Sequence, residues 1–144
     1  MINIYLEEIK FALFALVLVV TAIYDAKTKT IPIVFPALIV CIGLIQTDII
    51  ISVVGMVTIG LFFGVVTILS KGKIGGGDFK LMTALGFYFG MMDCIDVALI
   101  GMILTLIVGA TKSWVTQEKL KNISLPLAPG ICVGGIFVGL FGLL

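Results

Sequence analysis

Apolar residues fill this chain in long runs broken by short polar clusters, and the breaks define the elements. Six apolar segments result, from about Leu6 to Tyr24, Pro32 to Ile45, Ile49 to Leu69, Phe79 to Met92, Ile95 to Trp114, and Pro129 to Leu144. A helix that crosses hydrocarbon needs about 20 mostly apolar residues, with a range of roughly 17–25. Backbone outside a helix cannot face lipid with its polar groups unsatisfied. The pattern therefore predicts an all-α, polytopic membrane protein, a bundle of six transmembrane helices forming a single membrane-embedded domain over residues 1–144. The fourth segment is the short one. Its 14 residues from Phe79 to Met92 reach only about 21 Å, against roughly 30 Å of hydrocarbon. If its Asp78 end starts below the surface, the glycines before it line a recess open to water.

Composition narrows the class. The chain is 61% hydrophobic and 12% charged, with a mean hydropathy of +1.33, whereas soluble domains are roughly half apolar and about a quarter charged. A net charge of +1 gives no basic field for nucleic acid. Histidine is absent, which excludes His-based metal sites and Ser-His or Cys-His catalysis. Cys41, Cys94 and Cys132 are far apart, form no CxxC, and read as small apolar packing residues. No metal or cofactor is expected. The opening "MINIYLEEIK" sets Glu7 and Glu8 against Lys10, without the basic start or cleavage site of a secretory signal, so it reads as a retained first helix.

Charge then orients the bundle. Lys27, Lys29, Lys71, Lys73, Lys80, Lys112, Lys119 and Lys121 follow helices one, three and five, and only Lys10 lies on the other face. Basic residues collect in cytoplasmic loops, so those loops are expected on the cytoplasmic side of the cell membrane and both termini on the opposite side. Three acidic residues share the lysine-rich face: Asp25, Asp78 and Glu118. Glu118 belongs to a polar loop. Asp25 and Asp78 each abut a membrane helix, and two spans between them return the chain to the same face, where the two carboxylates can approach each other.

Each aspartate alone has a structural explanation. Asp78 opens an apolar helix, where an N-cap carboxylate suits the positive end of the dipole, and the glycines before it suit a turn. Asp25 is a polar stop, although a helix C-terminus is the wrong end for an anion. A phosphate loop is excluded, because no Lys-Ser/Thr follows the glycines. As a pair the aspartates suggest chemistry, since ionisable groups at membrane helix ends tend to be functional. Two carboxyls a few Å apart cannot both ionise easily and come to share a proton. The ionised member can then deprotonate water while the protonated one donates to a carbonyl oxygen. Gly75, Gly76 and Gly77, lacking Cβ atoms, leave room for a substrate backbone.

The stretches "YDAKTKTIP" (Tyr24 to Pro32), "GGGDFKLM" (Gly75 to Met82) and "PLAPG" (Pro126 to Gly130) resemble, in order and spacing, the type IV prepilin peptidases, polytopic aspartic proteases with a GxGD motif. The resemblance covers essentially the whole chain. It implies that Asp25 and Asp78 are catalytic, and that Gly75, Gly76, Gly77, Lys80, Pro126, Ala128 and Pro129 shape the loops or bind substrate. It also implies pilin-like precursors as substrates, whose short leader is cut at the cytoplasmic face just before the precursor's own apolar helix. Larger members carry an additional N-terminal CxxC region and methylate the new N-terminus; this sequence lacks that region and resembles the compact, protease-only form.

Other features carry less. Pilin leaders are typically basic, so the lysines on this face are more simply read as contacts to anionic lipid, with Lys80 either one of these or a group that tunes Asp78 and holds the loop. Gly60xxxGly64, Gly86xxxGly90, Gly130xxxGly134 and Gly135xxxGly139 suit close helix packing, with homo-oligomerisation as the alternative. Trp114 reads as an interfacial anchor. The rival functions are a GxGD protease resembling signal peptide peptidases and presenilins, and a small transporter binding a cation between the carboxylates.

Overall fold

The computed structural model describes residues 2–45, 48–69, 75–116 and 127–143. Lys71, Lys73, Glu118, Lys119, Lys121 and Pro126 lie outside the described residues. Within them the elements are α1 (Ile2–Thr28), α2 (Val34–Gly43), α3 (Ile49–Leu69), α4 (Gly76–Thr116) and α5 (Ala128–Leu143), with no strand among the described residues. The helices over Tyr5–Thr28, Ile49–Leu69 and Gly76–Val115 are long and apolar enough to cross a membrane, and two shorter apolar helices accompany them.

Helices form where the apolar segments predict them, with one change. The fourth and fifth segments are two arms of α4, continuous through the polar "DCID" cluster that was expected to separate them. Asp93 and Asp96 are exposed there, so their polarity is solvated without breaking the backbone. The direction changes instead at Gly90, with φ 78° and ψ −173°, a conformation open essentially to glycine alone. Gly55 of α3 faces this point, its missing side chain letting α3 close on the Gly86 carbonyl and the Gly90 backbone.

The apolar surface is arranged as lipid contact requires. Of the 21 residues of α3, the buried ones are Ser52, Gly55, Ile59 and Phe63, a narrow stripe at helical spacing, and Ile50, Leu61, Phe62 and Ile68 point outward. Lys10 is an exception inside α1, only 3% exposed, with its ammonium held by Glu7 at 3.1 Å. A buried charge is tolerated when it is paired.

Glycines set the register of the bundle, and in each case one of this chain's own helices fills the space. Along α3 and the first arm of α4, Gly64 meets Phe79, Gly60 meets Thr83 and Gly55 meets Gly86. Along α5, Gly135 takes Leu18 and Phe14, and Gly139 takes Phe11, all from α1. The other face of α5 packs Gly134 against Val97 and Gly130 against Gly101 and Thr105 of the second arm. On α1, Phe14 stacks on Tyr88 with centroids 4.0 Å apart and meets Phe89 edge-on at 5.3 Å. All these pairs run antiparallel. Starting from Phe14 level with Tyr88, about three turns onward along α1 and about three turns back along α4 bring Asp25 level with Asp78. From Gly135 beside Leu18, about two turns back along α5 and about two turns onward along α1 bring the start of α5 to Asp25.

Candidate active site

Three helix ends meet at one end of the bundle: the C-terminus of α1, the N-terminus of α4 and the N-terminus of α5. Asp25 lies in the last turns of α1, 5% exposed. Its Oδ2 accepts a hydrogen bond from the Ala128 backbone N–H at 3.4 Å. Ala128 is the first residue of α5, and Ile131 N–H closes the first turn onto the Leu127 carbonyl at 3.1 Å. The first N–H groups of a helix have no intrahelical acceptor and carry its positive dipole end. Asp25, badly sited at the C-terminus of its own helix, is thus received by the N-terminus of another. Pro129 follows within the first turn, where its lack of an N–H leaves no hydrogen bond unmade.

Asp78 is held differently from the expected N-cap. The helix starts at Gly76, so Gly75 takes the N-cap position and Asp78 is the third residue inside. Its backbone N–H goes to the Gly75 carbonyl at 3.0 Å, and Phe79 N–H to the same carbonyl at 3.3 Å. The Asp78 carboxyl in turn accepts from the Gly75 backbone N–H. That return bond is the acidic half of a capping box. Asp78 is half-buried, and the charge of Asp25 bears on it directly. Residues far apart in the sequence are therefore brought to one site, each carboxyl fixed by a backbone amide at a helix start.

The three glycines are not equivalent. A β-carbon on Gly75 would stand 3.3 Å from Oδ2 of Asp78, so this glycine makes room for the carboxyl itself. One on Gly77 would stand 2.8 Å from Cβ of Ile31, so this one makes room for the loop after α1. At Gly76 nothing among the described residues lies within 4 Å, and the residue is exposed. Of the three expected spaces for a substrate backbone, the one at Gly76 is open among the described residues. Gly76 and Gly77 also belong to the first turn of α4 rather than to a loop.

Lys80 is exposed and, among the described residues, forms no ion pair with either aspartate. Sequence reasoning missed Ile31, 8% exposed in a loop whose neighbours from Lys27 to Thr30 are all exposed. A lone apolar residue within "DAKTKTIP" was the available signal. It also missed the backbone role of Ala128, which side-chain chemistry cannot reveal. Among the described residues no group of His, Cys, Asp and Glu is suited to hold a metal ion.

A sequence comparison matches residues 12–110 to the type IV leader peptidase family. A prepilin leader peptidase/N-methyltransferase of Bacillus subtilis (strain 168) is 32% identical over 82 residues, covering 57% of this chain and 33% of that protein. The match thus spans a third of the relative's length. No solved structure gives a significant match.

Proposed function

The chain belongs to the type IV leader peptidase family, and we propose that it is a membrane aspartic endopeptidase that removes the leader from pilin-like precursors. In this reading residues 1–144 form one peptidase domain whose apolar segments make six membrane passages, with α4 crossing twice about Gly90. The lysine distribution supports a site at the cytoplasmic face and termini on the other side.

The observation that carries the proposal is the meeting of the Asp25 and Asp78 carboxyls in a half-buried site, each on a backbone amide. Because the charge of Asp25 bears on Asp78, the pair is read as sharing one proton. The carboxylate draws a proton from water as the water attacks the scissile carbonyl, while the protonated partner donates to the carbonyl oxygen. The amides hold the carboxyls in place before substrate arrives, so little reorganisation is needed in the transition state. The exposed face at Gly76 is the route by which an extended substrate backbone approaches Asp78. Ala128 contributes its backbone amide, Pro129 the rigid start of α5, and Lys80 a surface cation that contacts anionic headgroups.

The test is co-expression with a pilin-like precursor and detection of leader removal. Asp25→Asn and Asp78→Asn each abolish cleavage while the protein stays in the membrane. Cleavage that survives both substitutions overturns the reading. A loss of ion flux in place of cleavage would support a transporter.

A further inference from the structure

The two carboxyls sit on different helices, and a third contact is placed to hold those helices in register. After Asp25 the chain leaves α1 through a small polar knot. Lys29 adopts φ 55° with its N–H on the Asp25 carbonyl at 2.8 Å. Thr28 Oγ1 donates to the Tyr24 carbonyl at 2.8 Å and lies 3.1 Å from the Thr30 carbonyl, and Thr30 Oγ1 reaches Thr28 Oγ1 at 3.3 Å. The knot delivers Ile31 inward: it is 8% exposed, while Ile33 just beyond is 64% exposed. Ile31 lands on Gly77, with its Cβ, backbone N and Cγ1 at 2.8, 3.1 and 3.3 Å from where a glycine side chain would begin. Gly77 immediately precedes Asp78. A β-branched residue is stiff at χ1, so the path from Asp25 through Ile31 and Gly77 to Asp78 is short and has little play.

We propose that Ile31 is a positioning residue for the aspartate pair: seated on the bare backbone of Gly77, it sets the separation at which Asp25 and Asp78 face each other. It touches neither water nor scissile bond. The inference rests on the reading of the two aspartates as the catalytic pair. Among the described residues the lysines on the flanking turns, Lys27, Lys29 and Lys80, are all exposed, and the charge set against Asp78 is that of Asp25.

The experiment compares the full chain with Ile31→Ala and Ile31→Val, each reconstituted in bilayers. Without substrate, infrared titration of the carboxyl C=O stretch follows the two aspartates, with Asp25→Asn and Asp78→Asn identifying each signal. The wild type titrates in two separated steps, because each carboxyl feels the other's charge. In Ile31→Ala the steps draw together, and in Ile31→Val, which keeps the branched Cβ, they stay apart. With a pilin-like precursor, Ile31→Ala lowers kcat tenfold or more with KM within about twofold, narrows the separation between the acid and alkaline limbs of the pH profile, and is rescued by valine. Unchanged carboxyl titration in Ile31→Ala overturns the proposal, even if melting temperature or activity falls, because Ile31 is then only a packing residue. If the alanine variant does not fold, Ile31→Leu, which keeps the volume but moves the branch, takes its place under the same criteria. Cleavage by the Asp→Asn variants would sink the peptidase reading, whereas the infrared result decides the positioning role by itself.

Discussion

At the residue scale the glycine triplet separates folding from substrate access. Gly77→Ala drives a methyl group into Ile31 and is expected to destabilise the protein by about 1–3 kcal/mol, as overpacking does, with a lowered thermal midpoint in detergent. Gly76→Ala meets none of the described residues and is expected to leave the midpoint unchanged. Under the proposed mechanism, however, it raises KM for the precursor several-fold, because the methyl stands where the substrate backbone passes. A Gly76→Ala variant with wild-type kinetics would remove that assignment. Asp25→Asn keeps an oxygen for the Ala128 amide but cannot take a proton from water, so cleavage is expected to fall by about 10²–10⁴-fold while the fold persists. The aspartates stand out in the sequence because charge is costly in an apolar chain and therefore conspicuous. Ile31 and the Ala128 amide were illegible for the opposite reason: an isoleucine and a peptide N–H are ordinary in such a chain, and only contact gives them a role.

At the scale of elements, α4 shows what hydropathy misses. It reports how apolar a window is, so the Asp93 and Asp96 cluster registered as a break, while the actual change of direction lies at Gly90, which hydropathy does not mark. Replacing Gly90 by alanine forces a side chain into a backbone region that costs on the order of 1–3 kcal/mol. A lower melting temperature is the expected readout; Asp93→Ala, on an exposed helical face, should leave it within about 0.5 kcal/mol of wild type. The glycine spacings were legible as packing motifs, and their partners lie within the chain: Gly60 with Thr83, Gly135 with Leu18, Gly139 with Phe11.

For the molecule as a whole, the parity of the predicted spans places Asp25 and Asp78 at one end of the bundle. The bundle realises this through antiparallel packing, with Phe14 against Tyr88 setting the level. What parity could not supply is lateral position, because six segments permit many arrangements around one another. Lateral position comes from the aromatic stack and from the glycine faces of α5, which wedge between α1 and the second arm of α4. A pair that shares a proton predicts a bell-shaped cleavage rate, lost in acid when both carboxyls are protonated and lost in base when neither is. Stopped assays across the pH range test this; a single sigmoid would mean that only one carboxyl acts.

The hydrogen bond from Ala128 to Asp25 also has a meaning in time. It joins positions 103 residues apart, and α5 leaves the ribosome after every other described helix. Asp25 must therefore wait in a partly built bundle without its amide. Under the proposed function the enzyme stays inactive through most of its own synthesis, and hydrolysis becomes available only when the α5 segment settles beside α1.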